Sequence, residues 1–129
     1  MIVHHIGYLV KKLEKSKKKF LELGYETEGE ITYDHYRKVT ILFLVKDGYR
    51  VELIEPAAED SVVSDLLTRY KNAPYHMCYE SSSFEEDLGE LREKGFVPID
   101  EPCPAPALGG RRVAFLLHSS IGIIEILEA

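Results

Sequence analysis

The sequence has 129 residues, of which 45% are hydrophobic and 29% charged, and its net charge is −6 at pH 7. This composition is typical of one globular domain that buries a core without disulfide bonds. The acidic balance argues against a nucleic-acid partner, and no apolar run reaches the about 20 residues that cross a membrane. With two cysteines and no signal-peptide pattern, we expect a cytoplasmic protein.

The first half of the chain predicts a β-α-β-β-β order. Short apolar runs rich in β-branched residues indicate the strands. Leu13 and Phe20 mark the inner side of a helix whose lysines face solvent, and Gly24 ends it. The predicted elements are a strand over residues 3–10, a helix over 13–23 and strands over 28–33, 38–45 and 50–55.

The same order returns after a connector over residues 57–74, which holds a short helix at 63–70. A strand over residues 75–80 and a helix ending at 93 are followed by strands over 97–100, 112–117 and 122–127. We therefore predict a single α+β domain made of two tandem βαβββ modules, residues 1–56 and 75–129. The loop over residues 102–110 is the least regular segment, and binding groups commonly lie on such loops.

Each predicted module carries one histidine on its first strand and one glutamate on its last strand. These residues are His5 and Glu52 in the first module, and His76 and Glu125 in the second. If the modules pack with pseudo-twofold symmetry, the four side chains converge. Two imidazoles and two carboxylates suit one divalent ion such as Zn, Ni, Co, Mn or Fe, and leave positions for water or substrate. Alternatively, the histidines are structural and the glutamates face solvent, but the joint repeat favours a metal site.

Neighbouring residues refine the candidate site. His4 aligns with Tyr75 of the repeat, and strand alternation places it on the opposite face from His5. We therefore expect His5 to bind the metal and His4 to lie apart from it. Gly7 and Cys78 each follow a ligand histidine by two residues, and their small side chains leave room for metal and substrate. Cys78 is a further conceivable ligand.

The order and spacing of these motifs resemble the vicinal oxygen chelate superfamily, which includes glyoxalase I, methylmalonyl-CoA epimerase, extradiol dioxygenases and bleomycin-resistance proteins. The resemblance lies in His5-Ile6-Gly7, in Tyr75-His76-Met77 and in the strands around Glu52 and Glu125. The connector residues 59–67 and Gly109-Gly110-Arg111 look most like the epimerase branch.

The resemblance implies a curved mixed sheet that forms a cup around one divalent metal ion (Zn, Ni, Co or Mn). The implied ligands are His5, Glu52, His76 and Glu125. The implied activity is that of an isomerase or lyase, which moves a proton next to a carbonyl or thioester through a metal-stabilised enolate. Glu125 or Glu52 would be the catalytic base, the substrate would be a small-molecule thioester or hemithioacetal, and we expect a homodimer.

Other functions within the superfamily stay open. One is lactoylglutathione lyase, or glyoxalase I. Another is a non-catalytic binding protein of the bleomycin-resistance type, although such a protein has no need of four metal ligands. An extradiol dioxygenase fits less well, because its iron is held by two histidines and one carboxylate.

The chain departs from the epimerase pattern at one catalytic position. Epimerases carry an additional catalytic acid near the start of the third strand, where this sequence has Asp34 and His35. We take His35 as the candidate acid–base group, because an imidazole suits proton transfer near neutral pH. The alternatives are that Asp34 has this role or that His35 is an exposed loop residue.

A glycine pair and an arginine pair end the irregular loop. Arg111 and Arg112, together with Gly109 and Gly110, are our candidates for binding the substrate. A guanidinium pairs well with a carboxylate or phosphate. Because the two arginines face opposite ways on a strand, at most one of them reaches the cup.

Overall fold

The first half of the chain folds into the predicted β-α-β-β-β unit in the computed structural model, which describes residues 1–129, and the second half repeats this order with one additional two-residue strand. The first module contains β1 (Ile2–Leu9), α1 (Leu13–Glu22), β2 (Glu26–Asp34), β3 (Val39–Lys46) and β4 (Tyr49–Pro56). The connector contains α2 (Ser64–Tyr70). The second module contains β5 (Ala73–Ser81), α3 (Phe84–Glu93), β6 (Val97–Pro98), β7 (Cys103–Pro104), β8 (Arg112–His118) and β9 (Gly122–Glu128).

All nine strands belong to one mixed sheet, which confirms the predicted fold class. The strand order is β2-β3-β4-β1-β5-β9-β8-β6, and β7 pairs with β8. Each module closes with a parallel pair of its first and last strands, β1 with β4 and β5 with β9. The modules meet where β1 and β5 pair in antiparallel fashion. The four strands that carry the paired His and Glu residues are therefore the central four.

Alternation along the strands separates an outer face from an inner face. On β3, Leu42 and Leu44 pack outward in the cluster that includes Leu13 of α1, whereas Ile41 and Phe43 face inward. Fully burying a leucine side chain stabilises a fold by about 1.5–3 kcal/mol, so this pattern fixes which way the strand faces. Its inward residues are free to line a site.

The three helices cover different parts of the sheet. Helix α1 covers the outer face of the first module, and α3 covers that of the second through Phe84 and Leu88. The short connector helix α2 instead packs Leu66 and Leu67 against the inner cluster of the first module. None of the helices is long and apolar enough to span a membrane.

The segment expected to be an irregular loop has more structure than the sequence indicates. It contains β7 and a 3-10 turn over Pro106–Leu108, and Ala105 and Leu108 pack on the inner face of the sheet. Gly109 and Gly110 have φ angles of 70° and 80°, which glycine adopts without steric cost. The Gly110 N–H donates to the Ala105 carbonyl at 3.0 Å, and this turn returns the chain to β8.

Candidate metal centre

The four predicted ligand side chains face the same inner side of the four central strands. Their positions are His5 on β1, Glu52 on β4, His76 on β5 and Glu125 on β9. Gly7 of β1 lies opposite Glu52 on one side and opposite His76 on the other, so the strand register brings the modules' ligands together. None of the four residues is more than 4% exposed.

The donor atoms lie at distances that suit one bound ion. His5 Nε2 lies 3.4 Å from Glu52 Oε1 and 3.4 Å from Glu125 Oε1. His76 Nε2 lies 3.7 Å from Glu52 Oε1 and 3.9 Å from Glu125 Oε2, and the two Nε2 atoms are 3.3 Å apart. Two ligands that are each about 2.1 Å from one ion stand roughly 3–4 Å apart. Donor atoms of His5, Glu52 and His76 thus lie within 4.8 Å of one another, and Glu125 contacts both histidines from beside this group.

Gly7 makes room for the ring of His76. A Cβ atom added at Gly7 would overlap that imidazole. The small residue on β1 thus lets the side chain from β5 lie across the neighbouring strand and reach the other donors. The space predicted for metal and substrate is instead filled by a ligand side chain.

His4 is in contact with the centre, contrary to the expectation that it lies apart. The pairing of β1 with β5 shifts between Val3 and His5, so His4 is an extra residue that disrupts the regular alternation. Its Nδ1 lies 2.8 Å from His5 Nδ1, and the two rings meet edge to face. Strand periodicity could not reveal this contact because a bulge is set by the partner strand.

In the metal-free chain, burial and the neighbouring charges shift the pKa values of the residues in the centre in different directions. Burial and the Glu52 carboxylate raise the pKa of Glu125 to about 7. Burial also favours the neutral form of Glu52, but its contacts with His5 outweigh this and lower its pKa. Burial and the neighbouring His5 lower the pKa of His76 to about 3. His76 is therefore neutral at pH 7, as a metal ligand must be.

Two buried polar atoms of the centre have no hydrogen-bond partner, namely His76 Nδ1 and Glu125 Oε1. An unsatisfied buried polar atom costs about 1–3 kcal/mol. A cation held between the carboxylates would neutralise Glu52 and Glu125 and offset part of this cost. The donor set and its unsatisfied carboxylate oxygen therefore fit a divalent ion.

A cavity of about 240 Å³ opens beside the centre, and both ligand carboxylates line it. Its wall is mostly apolar, with contributions from α2, β3, β8 and the segment over residues 105–108. Pockets for drug-sized ligands usually span about 300–1,000 Å³, so this cavity suits a smaller group. A bound molecule would reach Glu52 and Glu125 directly.

The turn between β2 and β3 places its residues differently from the prediction. His35 is exposed, stacks on Tyr36 with ring centroids 4.0 Å apart, and does not line the cavity. Asp34 is buried and lines the cavity, but its oxygens accept from the backbone N–H groups of Tyr36 and Arg37 and from Arg37 Nη1. Neither predicted alternative is a free acid or base in the cup.

The predicted substrate-binding residues lie outside the cavity. Arg111 pairs with Glu80 at 2.8 Å and donates to the Leu108 carbonyl. Arg112 pairs with Glu128 at 2.8 Å and also contacts Glu85. Neither arginine lines the cavity, because acidic neighbours hold both elsewhere, and their role in substrate binding stays a prediction.

Gly109 and Gly110 likewise form no part of the cavity wall. Their role is to shape the turn that follows the 3-10 segment. Ala107 and Leu108, which precede the pair, line the cavity instead. The predicted loop therefore reaches the cavity through these two residues, and substrate binding by Gly109 and Gly110 stays a prediction.

Cys78 lies near the centre but is poorly suited to bind the metal. Its sulfur lies with nitrogen atoms of His4 and His5 in a second group of possible ligands, within 4.8 Å of one another. Burial, followed by the charge of Glu125, raises the pKa of the Cys78 thiol. Because a metal binds the thiolate, a thiol that stays protonated favours the His and Glu donor set.

Comparison with known proteins agrees with this fold. The family model described as the Glyoxalase/Bleomycin resistance protein/Dioxygenase superfamily matches residues 4–115. The chain belongs to this superfamily. The resemblance inferred from the sequence is therefore confirmed at the level of the superfamily.

Individual relatives include methylmalonyl-CoA epimerases. The mitochondrial methylmalonyl-CoA epimerase of Bos taurus is 25% identical over 130 residues, which span 98% of this chain and 74% of that protein. A hypothetical protein of Bacillus halodurans C-125 superposes with a TM-score of 0.86 and 26% identity, covering 98% of this chain and 93% of its own. The methylmalonyl-CoA epimerase of Mycobacterium tuberculosis has a TM-score of 0.85, 20% identity and coverages of 98% and 86%.

Proposed function

We propose that the protein is a divalent-metal-dependent isomerase or lyase of the methylmalonyl-CoA epimerase type, which moves a proton on a carbon next to a thioester carbonyl. The observation that carries this proposal is the convergence of His5, Glu52, His76 and Glu125 beside a cavity lined by both carboxylates. The epimerases among its relatives support the substrate class, a small-molecule thioester.

The chemistry divides between a bound ion and the chain's own residues. A divalent ion in this centre supplies Lewis-acid polarisation of a carbonyl oxygen, which lowers the cost of removing a proton from the adjacent carbon. The two histidines act as ligands in their neutral form and leave the proton transfer to a carboxylate. The apolar wall of the cavity excludes water from the reacting carbon.

Glu125 is the better of the two carboxylates for taking the proton. It lines the cavity, and in the metal-free chain burial and Glu52 raise its pKa to about 7, so its carboxylate takes up a proton more readily than that of Glu52. Glu52, whose pKa is lowered by its contacts with His5, stays charged and serves as a ligand.

The second candidate function is that of a lactoylglutathione lyase. An epimerase that inverts a carbon with two separate groups requires a second acid or base on the far side of the cup. Asp34, however, is engaged by Arg37, and His35 lies outside the cavity. This observation favours chemistry in which a single carboxylate removes and returns the proton, as an isomerising lyase on a hemithioacetal requires.

Solvent deuterium exchange tests the proposal. Protein loaded with Zn²⁺, Co²⁺, Ni²⁺ or Mn²⁺ is incubated in D₂O with methylmalonyl-CoA or with the hemithioacetal of methylglyoxal and glutathione, and deuterium at carbon is followed by NMR. We expect metal-dependent exchange with the thioester that Glu125→Gln lowers by about a hundredfold or more, in line with the usual contribution of a general base. Turnover of the hemithioacetal alone would select the lyase. Absence of exchange with both substrates and all four metals would contradict the proposal.

A further inference from the structure

The bulge at His4 places this residue between the regular strand pairings on either side of β1. Pairing with β5 shifts between Val3 and His5, and pairing with β4 begins at Ile6 and Val51. A residue in a bulge is not held by the ladder in the way that its neighbours are. The position of the His4 ring against the ligand His5 therefore depends on contacts outside the ladder.

Arg50, the second residue of β4, supplies such a contact. Its Nη1 donates to the His4 carbonyl at 3.1 Å. Its Nε and Nη2 donate to the two carboxylate oxygens of Glu28, the bond from Nη2 being 3.1 Å long. Each nitrogen of the guanidinium thus has a partner, and the planar fork fixes the orientation of the group.

Glu28 connects this arrangement to the edge of the sheet. It lies on β2, the edge strand, at the point where the pairing with β3 shifts before Thr32. Strand β3 separates β2 from β4, so the side chains of Glu28 and Arg50 meet across it. Arg50 therefore joins the irregular part of β2 to the bulge of β1 by side-chain hydrogen bonds.

An ordinary ion pair does not explain all the contacts of Arg50. The side chains of Arg50 and Glu28 are 30% and 44% exposed, and a pair that is open to solvent contributes little to stability. Arg112 holds Glu128 in the same two-pronged way, with both bonds 2.8 Å long and a side chain that is 39% exposed. What distinguishes Arg50 is its third bond, to the backbone of the residue beside a metal ligand.

We infer that Arg50 is a positioning residue for the metal centre: held by Glu28, it fixes the bulge so that the His4 ring stays against Nδ1 of His5. The inference rests on the metal centre and not on the reaction proposed for it. A histidine whose second ring nitrogen has a fixed partner binds a metal more tightly. The charge of Arg50 acts in the opposite direction, because a cation near the centre repels a bound ion. Positioning and charge therefore predict opposite effects on metal affinity when Arg50 is replaced.

The decisive variant is Arg50→Lys, which keeps the charge but cannot hold Glu28 and the His4 carbonyl with one planar fork. Zn²⁺ affinity is measured by competition with a chelator, and the visible spectrum of bound Co²⁺ reports the arrangement of the ligands. We expect binding to weaken by about three- to tenfold, as loss of one hydrogen bond implies, with a changed Co²⁺ spectrum. A purely structural role would lower the resistance to urea and leave affinity and spectrum unchanged, which would overturn the inference. If Arg50→Lys does not fold, Arg50→Gln takes its place, and its binding must weaken although a repelling charge is lost.

A double-mutant cycle tests whether the effect passes through His4. In His4→Ala the positioned ring is absent, so Arg50→Lys should change Zn²⁺ affinity there by less than about twofold. The matched control is Arg112→Lys, which breaks a similar ion pair and should leave Zn²⁺ affinity unchanged. An equal loss in both His4 backgrounds, or in Arg112→Lys, would overturn the inference.

The same measurements keep the inference distinct from the proposed function. Wild-type chains that bind no ion would contradict the metal centre and the inference together. Weakened Zn²⁺ binding in Arg50→Lys, without deuterium exchange by the wild type on any substrate, would contradict the proposed reaction alone.

Discussion

The Nδ1 atoms of His4 and His5 lie 2.8 Å apart, so a residue expected to lie apart from the metal centre contacts one of its ligands. An imidazole that binds a metal through Nε2 keeps its proton on Nδ1 and needs an acceptor for it. Burial, together with His5 and Arg50, lowers the pKa of His4 to about 4, so its ring is neutral at pH 7. His4 can therefore accept this proton and fix the ring of His5.

We predict that His4→Ala weakens metal binding by about ten- to a hundredfold, as loss of the partner that orients a ligand usually does. His5→Ala should remove binding altogether. The affinity is measured by competition between the protein and a chelator of known strength. His118→Ala, which removes an imidazole packed on Phe96, is the control. Equal metal affinities of His4→Ala and wild type would show that His4 does not contribute to metal binding, as the sequence suggests.

Because β1 approaches His76 closely at Gly7, we expect the effects of substitutions at these two residues on the free energy of unfolding to be non-additive. Gly7→Ala places a methyl group where the His76 ring lies, which we expect to destabilise the metal-free protein by about 1–3 kcal/mol, as overpacking does. In a His76→Ala background the same change should cost much less because the ring is gone. Urea unfolding of the wild type, both single variants and the double variant gives the coupling energy. Additive effects would mean that Gly7 does not serve to admit the ring.

The buried Glu125 carboxyl predicts a pH dependence of stability in the metal-free chain. Its pKa, ordinarily 4.5, is raised to about 7 by burial and by Glu52. Between these values the folded chain holds a proton that the unfolded chain releases. The stabilisation by this group is therefore complete below about pH 4.5 and is lost as the pH rises through 7.

Comparison with Glu125→Gln isolates this contribution, because other titrating groups such as His76 are present in both proteins. With chelator present, we expect the unfolding free energy of wild type to fall relative to that of the variant between about pH 5 and pH 8. Saturating metal should abolish this relative fall, since the ion stabilises the charged carboxylate. Parallel curves for the metal-free proteins would argue against a protonated, buried Glu125.

The sequence predicts the fold and favours the convergence of His5, Glu52, His76 and Glu125, with solvent-facing glutamates as the alternative that it leaves open. Its repeat predicts two βαβββ modules, and an inward Glu125 follows from the outward packing of Ile124 and Ile126 on the same strand. Pairing of β1 with β5 places His76 opposite Gly7, and the His76 ring lies across that glycine with its Nε2 3.3 Å from His5 Nε2. Periodicity within each strand and the repeat of the two modules are the parts of this arrangement that the sequence itself contains.

The remaining features depend on contacts between distant segments. His4 reaches His5 through a bulge that only the pairing with β5 defines. Arg37 is oriented by Asp34 and by the Pro104 carbonyl, which is 67 residues away in the chain. The sequence drew attention to this turn through a search for an acid near His35, whereas the cavity is lined there by the paired residues Asp34 and Arg37. The homodimer, the metal's identity and the cytoplasmic location stay predictions.

The most direct test of the account is the metal content of the purified protein and of the four ligand variants. Each is equilibrated with Zn²⁺ or Co²⁺, dialysed against buffer and analysed by mass spectrometry of the elements, with circular dichroism as a check on folding. We predict one ion per chain in wild type, and much less than one in His5→Ala, Glu52→Ala, His76→Ala and Glu125→Ala. Wild-type chains that retain no ion, or four folded variants that retain as much as wild type, would contradict the metal centre on which the account rests.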